Sequence, residues 1–120
     1  HALDAAVGLS PKAFYQTLAR SSVRVQIVDV RRDIAAEYDD VHIPGALPMP
    51  ECDLARATEA ARSRIFPSVP TVVVSEKGDR EAFLRCATAF TTVRNLEGGM
   101  VAWSDAGYPE DSGEYVAPKP

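Results

Sequence analysis

The fold is decided by residues 71–80, which read TVVVSEKGDR. The first four, Thr71–Val74, are all β-branched, and a short apolar run of this kind predicts a buried strand. The next six, Ser75–Arg80, are polar, and the stretch from Glu81 to Phe90 is helix-prone. A strand, a loop and a helix in this order are typical of a parallel βα unit.

The loop that begins at Ser75 has features of an anion site. Backbone N–H groups at the start of a helix have no partner within that helix, and together with the helix dipole they favour a negative charge. Ser75 is expected to project over that point, while Gly78 permits backbone angles that other residues avoid. Arg80 can add a charge-assisted contact. Taken alone, the stretch is better explained as a plain polar loop between a strand and a helix, because the spacing is short and glycine is common in turns.

The rest of the chain alternates between strand and helix patterns. Apolar residues predict further strands over 23–30 and 92–96. Helices are predicted from Ser10-Pro11 to about 21–22, from the cap Asp33 through Tyr38, across 53–64 with Asp53 as cap, and after Gly98-Gly99. This alternation indicates a three-layer α/β fold with a parallel sheet, in which sites form at the carboxyl ends of strands. Two such ends carry polar residues, at 29–31 and at 75–80.

Composition favours one ordinary globular domain. The chain has 120 residues, of which 46% are hydrophobic and 25% charged, and a net charge of -4. The negative charge argues against nucleic acid and against an anionic membrane as partners. No apolar run approaches the roughly 20 residues that a membrane span needs.

The cysteines and histidines give no cofactor site. Cys52 and Cys86 either form one disulfide or are two free thiols, and the second interpretation is favoured. With His42 as the one internal histidine, no metal-ligand spacing exists, so no metal or other cofactor is expected. The chain begins at His1 rather than Met, which indicates a trimmed N-terminus. We expect a cytoplasmic location, with a periplasmic one left open.

Several motifs, in order along the chain, resemble those of the rhodanese homology family. They are Asp29-Val30-Arg31, similar to the family's Asp-x-Arg; Glu37 with His42-Ile43-Pro44-Gly45-Ala46, similar to its Glu…Gly-His-Ile-Pro-Gly-Ala with Val41 replacing the first glycine; and Asn95-Leu96-Glu97-Gly98-Gly99 with Ala102-Trp103, similar to its Asn-Leu-x-Gly-Gly…Ala-Trp. The match runs from about Leu9 to Pro109. It implies a rhodanese-like fold with a central parallel five-stranded sheet flanked by helices, in a domain of residues 1–109 followed by a polar C-terminal tail, 110–120.

The resemblance also places an active-site loop. Many family members carry Cys-x-x-Gly-x-Arg, and this chain has Ser75, Glu76, Lys77, Gly78, Asp79 and Arg80. Ser75 therefore stands at the catalytic cysteine position, in a loop of sulfurtransferase length rather than the longer loop of related phosphatases. Asp29 and Arg31 are expected to brace the loop through hydrogen bonds.

Serine changes the chemistry that this loop can perform. Sulfur transfer needs a thiolate that attacks and later leaves, whereas a hydroxyl is a weak nucleophile and holds no stable persulfide. We expect neither a Ser75–His42 catalytic pair nor a substitute nucleophile at Cys52, an incidental thiol, or at Cys86, a core residue. Glu76 and Asp79 also weaken the attraction of the loop for an anion.

Two hypotheses follow for function. The first is a rhodanese-like domain without sulfurtransferase activity, which acts as a binding or regulatory module with a residual anion-binding loop. Its partner would be another protein or a small sulfur-containing anion. The alternative is a thiosulfate or persulfide sulfurtransferase whose catalytic cysteine has been changed to serine by mutation. The sequence predicts no oligomeric state.

Overall fold

A parallel five-stranded sheet forms the centre of the protein, and the computed structural model describes residues 7–20, 22 and 24–118. The strands are β1 (Gly8–Leu9), β2 (Gln26–Asp29), β3 (Leu47–Pro48), β4 (Thr71–Val74) and β5 (Val93–Leu96). They lie in the order β1-β5-β4-β2-β3, and every pairing is parallel. The predicted α/β class and the five-stranded parallel sheet are confirmed.

Short helices cover both faces of the sheet. The α-helices are α1 (Pro11–Leu18), α2 (Glu59–Arg62), α3 (Arg80–Cys86) and α4 (Gly99–Asp105). One π-helical turn spans Ile34–Tyr38, and two 3₁₀ turns span Pro50–Cys52 and Leu54–Arg56. Every connection between paired neighbours in the sheet therefore crosses over through helical or irregular structure, as parallel strands require.

Alternate residues of the central strands build a core on each face of the sheet. In β4, Val72 and Val74 belong to one core, with Phe14 of α1 and Trp103 of α4. Val73 points to the opposite face, where the second core includes Phe83, Cys86 and Phe90. All of these side chains are buried, so β4 fixes the position of the loop at Ser75 from both sides.

Two predicted helix caps are present. The Ser10 side chain accepts a hydrogen bond from the Ala13 N–H at 3.1 Å, and Asp33 accepts one from the Ala36 N–H at 3.0 Å. Both bonds satisfy N–H groups that a helix leaves free in its first turn. The helix that Ser10 caps ends at Leu18, a few residues earlier than the sequence predicts.

The prediction of one helix across 53–64 is wrong. Asp53 caps a 3₁₀ turn that ends at Arg56, because its side chain accepts from the Ala55 N–H at 3.0 Å. Thr58 then has an extended backbone and accepts from the Ala61 N–H at 3.2 Å, which starts α2 as a separate helix. The helix after the Ser75 loop is also shorter than predicted.

Residues 110–118 pack against the domain. The backbones of His42 and Asp111 exchange two hydrogen bonds, of 2.9 and 2.8 Å, and the Gly113 N–H donates to the Asp39 carbonyl at 2.7 Å. The proposed domain limit at residue 109 stays a prediction. No helix in the described ranges has the length and apolar character needed to cross a bilayer, and the cellular compartment also stays a prediction.

Candidate functional site

The carboxyl ends of β2 and β4 bring the two predicted site segments together. Asp29 pairs with Val74 in the sheet register, so the segments that follow these residues start side by side. A cavity of about 300 Å³ opens at this point. It is lined by Val30, Arg31, Arg32, Glu37, Ser75, Glu76, Asp79, Glu81, Ala82 and Arg85. A site at the carboxyl ends of parallel strands is the position that this class of fold favours.

Ser75 lies at the inner wall of the cavity and is only 3% exposed. Its hydroxyl oxygen accepts a hydrogen bond from the Asp79 N–H at 2.9 Å. Asp79 is the residue that directly precedes the first residue of α3, so this bond links the Ser75 hydroxyl to the backbone at the start of that helix. The hydroxyl therefore occupies a point where a backbone donor already favours negative charge.

The backbone of the Ser75 loop keeps further donors available. The N–H groups of Glu76, Lys77 and Gly78 donate to no acceptor in the described part of the chain. Gly78 has a φ of +76°, which a residue with a side chain adopts only with strain. Consecutive free N–H groups in a turn before a helix can hold an anion.

Arg31 connects the two segments that meet at the cavity. Its guanidinium is buried and donates to the Asp29 carboxylate through Nε at 3.0 Å and Nη2 at 2.8 Å. Nη2 also donates to the Val41 carbonyl at 2.6 Å, and Nη1 lies 3.5 Å from a carboxylate oxygen of Glu76. Burial acts to lower the pKa of Arg31, but the hydrogen bond and charge of Asp29, with Glu76 and Glu37 adding to them, raise it overall. Arg31 is therefore a fixed positive charge whose Nε and Nη2 donors are already engaged.

The charges around the cavity do not favour a strongly held anion. Three arginines line it, and four carboxylates oppose them. The arginines are Arg31, Arg32 and Arg85, and the carboxylates are Glu37, Glu76, Asp79 and Glu81. Arg31 is paired with Asp29, so it adds little uncompensated positive charge, whereas the backbone N–H groups of the loop lie next to Ser75.

The predicted loop residues do not all face this cavity. Glu76 and Asp79 line it with Ser75, and Lys77 is exposed. Gly78 and Arg80 line a second cavity of about 270 Å³ behind the loop, together with Val7, Gly8, Phe83, Asn95, Glu97 and Gly98. Arg80 lies outside the lining of the Ser75 cavity, and its contact with an anion at Ser75 stays a prediction.

His42 belongs to a structural turn. Its ring stacks on Tyr38 with the ring centroids 3.9 Å apart, and Nδ1 lies 2.7 Å from the Tyr38 carbonyl oxygen. The residue is buried and lies outside the lining of the Ser75 cavity. The geometry therefore does not place His42 where it could act as a base for the Ser75 hydroxyl, as expected from the sequence.

The favoured interpretation of two free thiols is wrong, because Cys52 and Cys86 form a disulfide. Their Cα atoms are 5.6 Å apart, although 34 positions separate them in the sequence. Cys86 is buried in the core as predicted, and Cys52 ends a 3₁₀ turn in which both it and Glu51 have a φ of 56°. The bond ties α3, which also supplies Arg85 to the cavity, to the segment after β3.

Sequence reasoning missed Arg32 and Arg85 as cavity residues. Arg32 directly follows the predicted strand-end segment 29–31, and that position was the available signal. Arg85 lies four residues after Glu81 in α3, so the helical repeat places both on one face. Arg85 could be predicted as a cavity residue only if the face of α3 that turns toward the loop were already known.

Comparison with known proteins agrees with this architecture. A family model described as rhodanese-like domain matches residues 10–106. A crystal structure of the Alr3790 protein from Anabaena sp. shares 28% identity with a TM-score of 0.67, over 88% of this chain and 92% of that one. A solution structure of the rhodanese-like domain of the same protein gives 24% identity and a TM-score of 0.72, over 95% and 92% of the two chains. No curated protein matches the chain.

Sulfurtransferases share the fold. The structure of SseA from Escherichia coli, described under 3-mercaptopyruvate sulfotransferases, has 20% identity and a TM-score of 0.71, over 93% of this chain and 54% of that one. The family match spans most of the chain, and the five-stranded parallel sheet places Ser75 at the end of its central strand. The chain therefore belongs to the rhodanese-like domain family.

Proposed function

We propose that this protein is a rhodanese-like module that does not transfer sulfur through residue 75 and that binds a small sulfur-containing anion weakly in the Ser75 cavity. The observation that carries the proposal is the environment of the Ser75 hydroxyl. It is buried, it accepts from the Asp79 N–H, and no described histidine or other base contacts it. A hydroxyl in this setting is not activated for attack, and it cannot store sulfane sulfur.

The affinity expected for the anion is low. The free N–H groups of the loop favour a negative charge, but the carboxylates of Glu76 and Asp79 line the same cavity. We expect a dissociation constant of roughly 1 mM for thiosulfate, which corresponds to about -4 kcal/mol.

Two measurements test this function. Thiosulfate:cyanide transferase activity should stay at the uncatalysed background, and robust turnover by the Ser75 protein would disprove the proposal. Thiosulfate should shift the backbone amide resonances of residues 76–79 in a saturable way, whereas sodium chloride at equal ionic strength should not. Equal responses to both salts would show that the loop holds no specific anion site.

A second candidate function has a specific observation in its favour. The Asp79 N–H already points at the residue 75 side chain, as a loop that stabilises a cysteine thiolate would require. The native protein would then be a sulfurtransferase in which Ser75 replaces the nucleophile. The codon at position 75 in the natural gene decides this directly, and transferase activity of the Ser75→Cys variant would show that the rest of the site is functional.

A further inference from the structure

The back of the Ser75 loop is held by the segment Asn95–Val101, which we name the clamp. The Met100 N–H donates to the Ser75 carbonyl at 2.8 Å, and the Val101 N–H donates to the Glu76 carbonyl at 3.0 Å. The Asn95 side-chain amide donates to the Gly78 carbonyl at 3.1 Å. Three loop carbonyls therefore turn away from the Ser75 cavity and toward β5 and α4.

These three bonds determine where the loop N–H groups point. In a planar trans peptide the C=O of one residue and the N–H of the next lie on opposite sides of the same unit, and no cis peptide is present in the described chain. Turning the carbonyls of Ser75, Glu76 and Gly78 backward aims the N–H groups of Glu76, Lys77 and Asp79 forward. The Asp79 N–H meets the Ser75 hydroxyl oxygen, as this reasoning requires.

The two cavities identify the front and the back of the loop. Ser75, Glu76 and Asp79 line the cavity at the carboxyl ends of β2 and β4, whereas Gly78, Asn95 and Gly98 line the second cavity. The N–H groups of Glu76, Lys77 and Asp79 thus face the first cavity, and the three bonded carbonyls face the clamp.

Close packing at two glycines makes this arrangement possible. A Cβ on Gly99 would lie 2.5 Å from the Gly78 nitrogen and would overlap the Ser75 carbonyl oxygen. A Cβ on Gly78 would lie 2.7 Å from the Gly98 nitrogen. Real Cβ atoms do not approach other atoms this closely, so a side chain at Gly99 would push the loop and the clamp apart.

We infer that Asn95 and Gly99 are positioning residues for the Ser75 site: by holding the loop carbonyls from behind, they aim the loop N–H groups at the bound anion. This inference rests on the proposed anion site and assigns its orientation to residues that do not touch the ligand. Asn95 acts through Gly78, and Gly99 acts through the space that it leaves for the loop.

The test uses the thiol of a Ser75→Cys variant as a probe of the loop donors. Donors aimed at residue 75 should hold the pKa of the thiol below the roughly 8.5 of a free cysteine, measured as iodoacetamide alkylation rate against pH. Adding Gly99→Ala or Asn95→Ala should raise that pKa by about one, a tenfold change in the thiolate-to-thiol ratio. A merely structural role would lower thermal stability without changing the pKa.

Matched controls exist for both variants. Gly107 also has a positive φ, of 77°, but a Cβ there meets nothing within 4 Å, so Gly107→Ala has the conformational cost of Gly99→Ala without the contact. Val93 lies two residues before Asn95 on β5 and is likewise half-buried, so Val93→Ala removes packing and no loop hydrogen bond. Neither control should change the pKa of the thiol. If the Gly99→Ala variant does not fold, the pKa of the thiol in the Asn95→Ala variant tests the positioning role.

Hydrogen exchange separates failure of the clamp from failure of the anion site. In the Ser75 protein the amides of Met100 and Val101 should exchange slowly, because both donate to the loop. Fast exchange at these amides would overturn the clamp whatever the loop binds. Slow exchange at these amides, combined with a pKa near that of a free cysteine for the thiol of Ser75→Cys, would overturn both the anion site and the positioning role. A lowered pKa that neither Gly99→Ala nor Asn95→Ala changes would overturn the positioning role alone.

Discussion

Reduction of the Cys52–Cys86 disulfide should destabilise this protein strongly. The bond joins residues 34 positions apart, and the chain-entropy relation for a closed loop of that length gives about 4 kcal/mol. A domain of this size has a total unfolding free energy of only about 5–15 kcal/mol. Loss of the bond should therefore remove a large share of the stability and lower the melting temperature by roughly 15 °C.

The assay compares thermal unfolding with and without a thiol reductant. Cys86 is buried, so the reductant must attack at Cys52, and reduction in brief denaturant followed by refolding is the safer route. A Cys52→Ala, Cys86→Ala double variant is the control. Its melting temperature should be equal to or below that of the reduced protein, because truncation of the core side chain at position 86 removes further stability. The reductant should not change its melting temperature.

A reduced protein that melts within about 2 °C of the untreated one would refute the reasoning. The mass of the intact chain provides the independent check, since reduction of one disulfide adds two hydrogen atoms. The redox state of the pair in protein isolated from its native cell would also bear on location, because disulfides persist in oxidising compartments such as the periplasm.

Other expected outcomes concern a buried ion pair, a buried phenol and a helix cap. Arg31→Ala leaves the buried Asp29 carboxylate unpaired and should cost about 3–5 kcal/mol in urea unfolding; a cost under about 1 kcal/mol would contradict the pairing. Burial, with nearby negative charge adding to it, raises the pKa of Tyr38 well above its ordinary value. The unfolded chain therefore ionises first, and stability should fall as pH rises above about 10; unfolding at pH 9–11 should show a weaker dependence in Tyr38→Phe. Ser10→Ala removes the cap on α1 and should cost about 1 kcal/mol in thermal unfolding, whereas Ser10→Gly should cost only a few tenths.

The central part of the fold could be predicted because its signals are local. Four β-branched residues at 71–74 allow little besides a buried strand. Ser10 and Asp33 cap helices through side chains that reach only three residues along the chain. The segments at 29–31 and 75–80 meet because parallel strands end at the same side of a sheet. Each of these inferences needs only neighbouring residues and a general rule.

The remaining features depend on contacts that no short stretch of sequence contains. Two-residue strands such as β1 and β3 are too short to show a period, so residue patterns alone predicted three strands and the family resemblance supplied five. The Cys52–Cys86 bond depends on how a turn after β3 packs against α3. The placement of Arg80 behind the loop rather than in the Ser75 cavity depends on the rotation of α3 about its axis.

The same two short strands also determine how this protein can meet other molecules. β1 and β3 are the outermost strands of the sheet, and each pairs over only two residues. Pro48 in β3 has no N–H to donate. Edge strands this short offer an incoming strand few unpaired backbone groups, and short edge strands are one way in which natural sheets avoid edge-to-edge aggregation. We therefore expect a partner to engage side chains of the helices and loops rather than to extend the sheet.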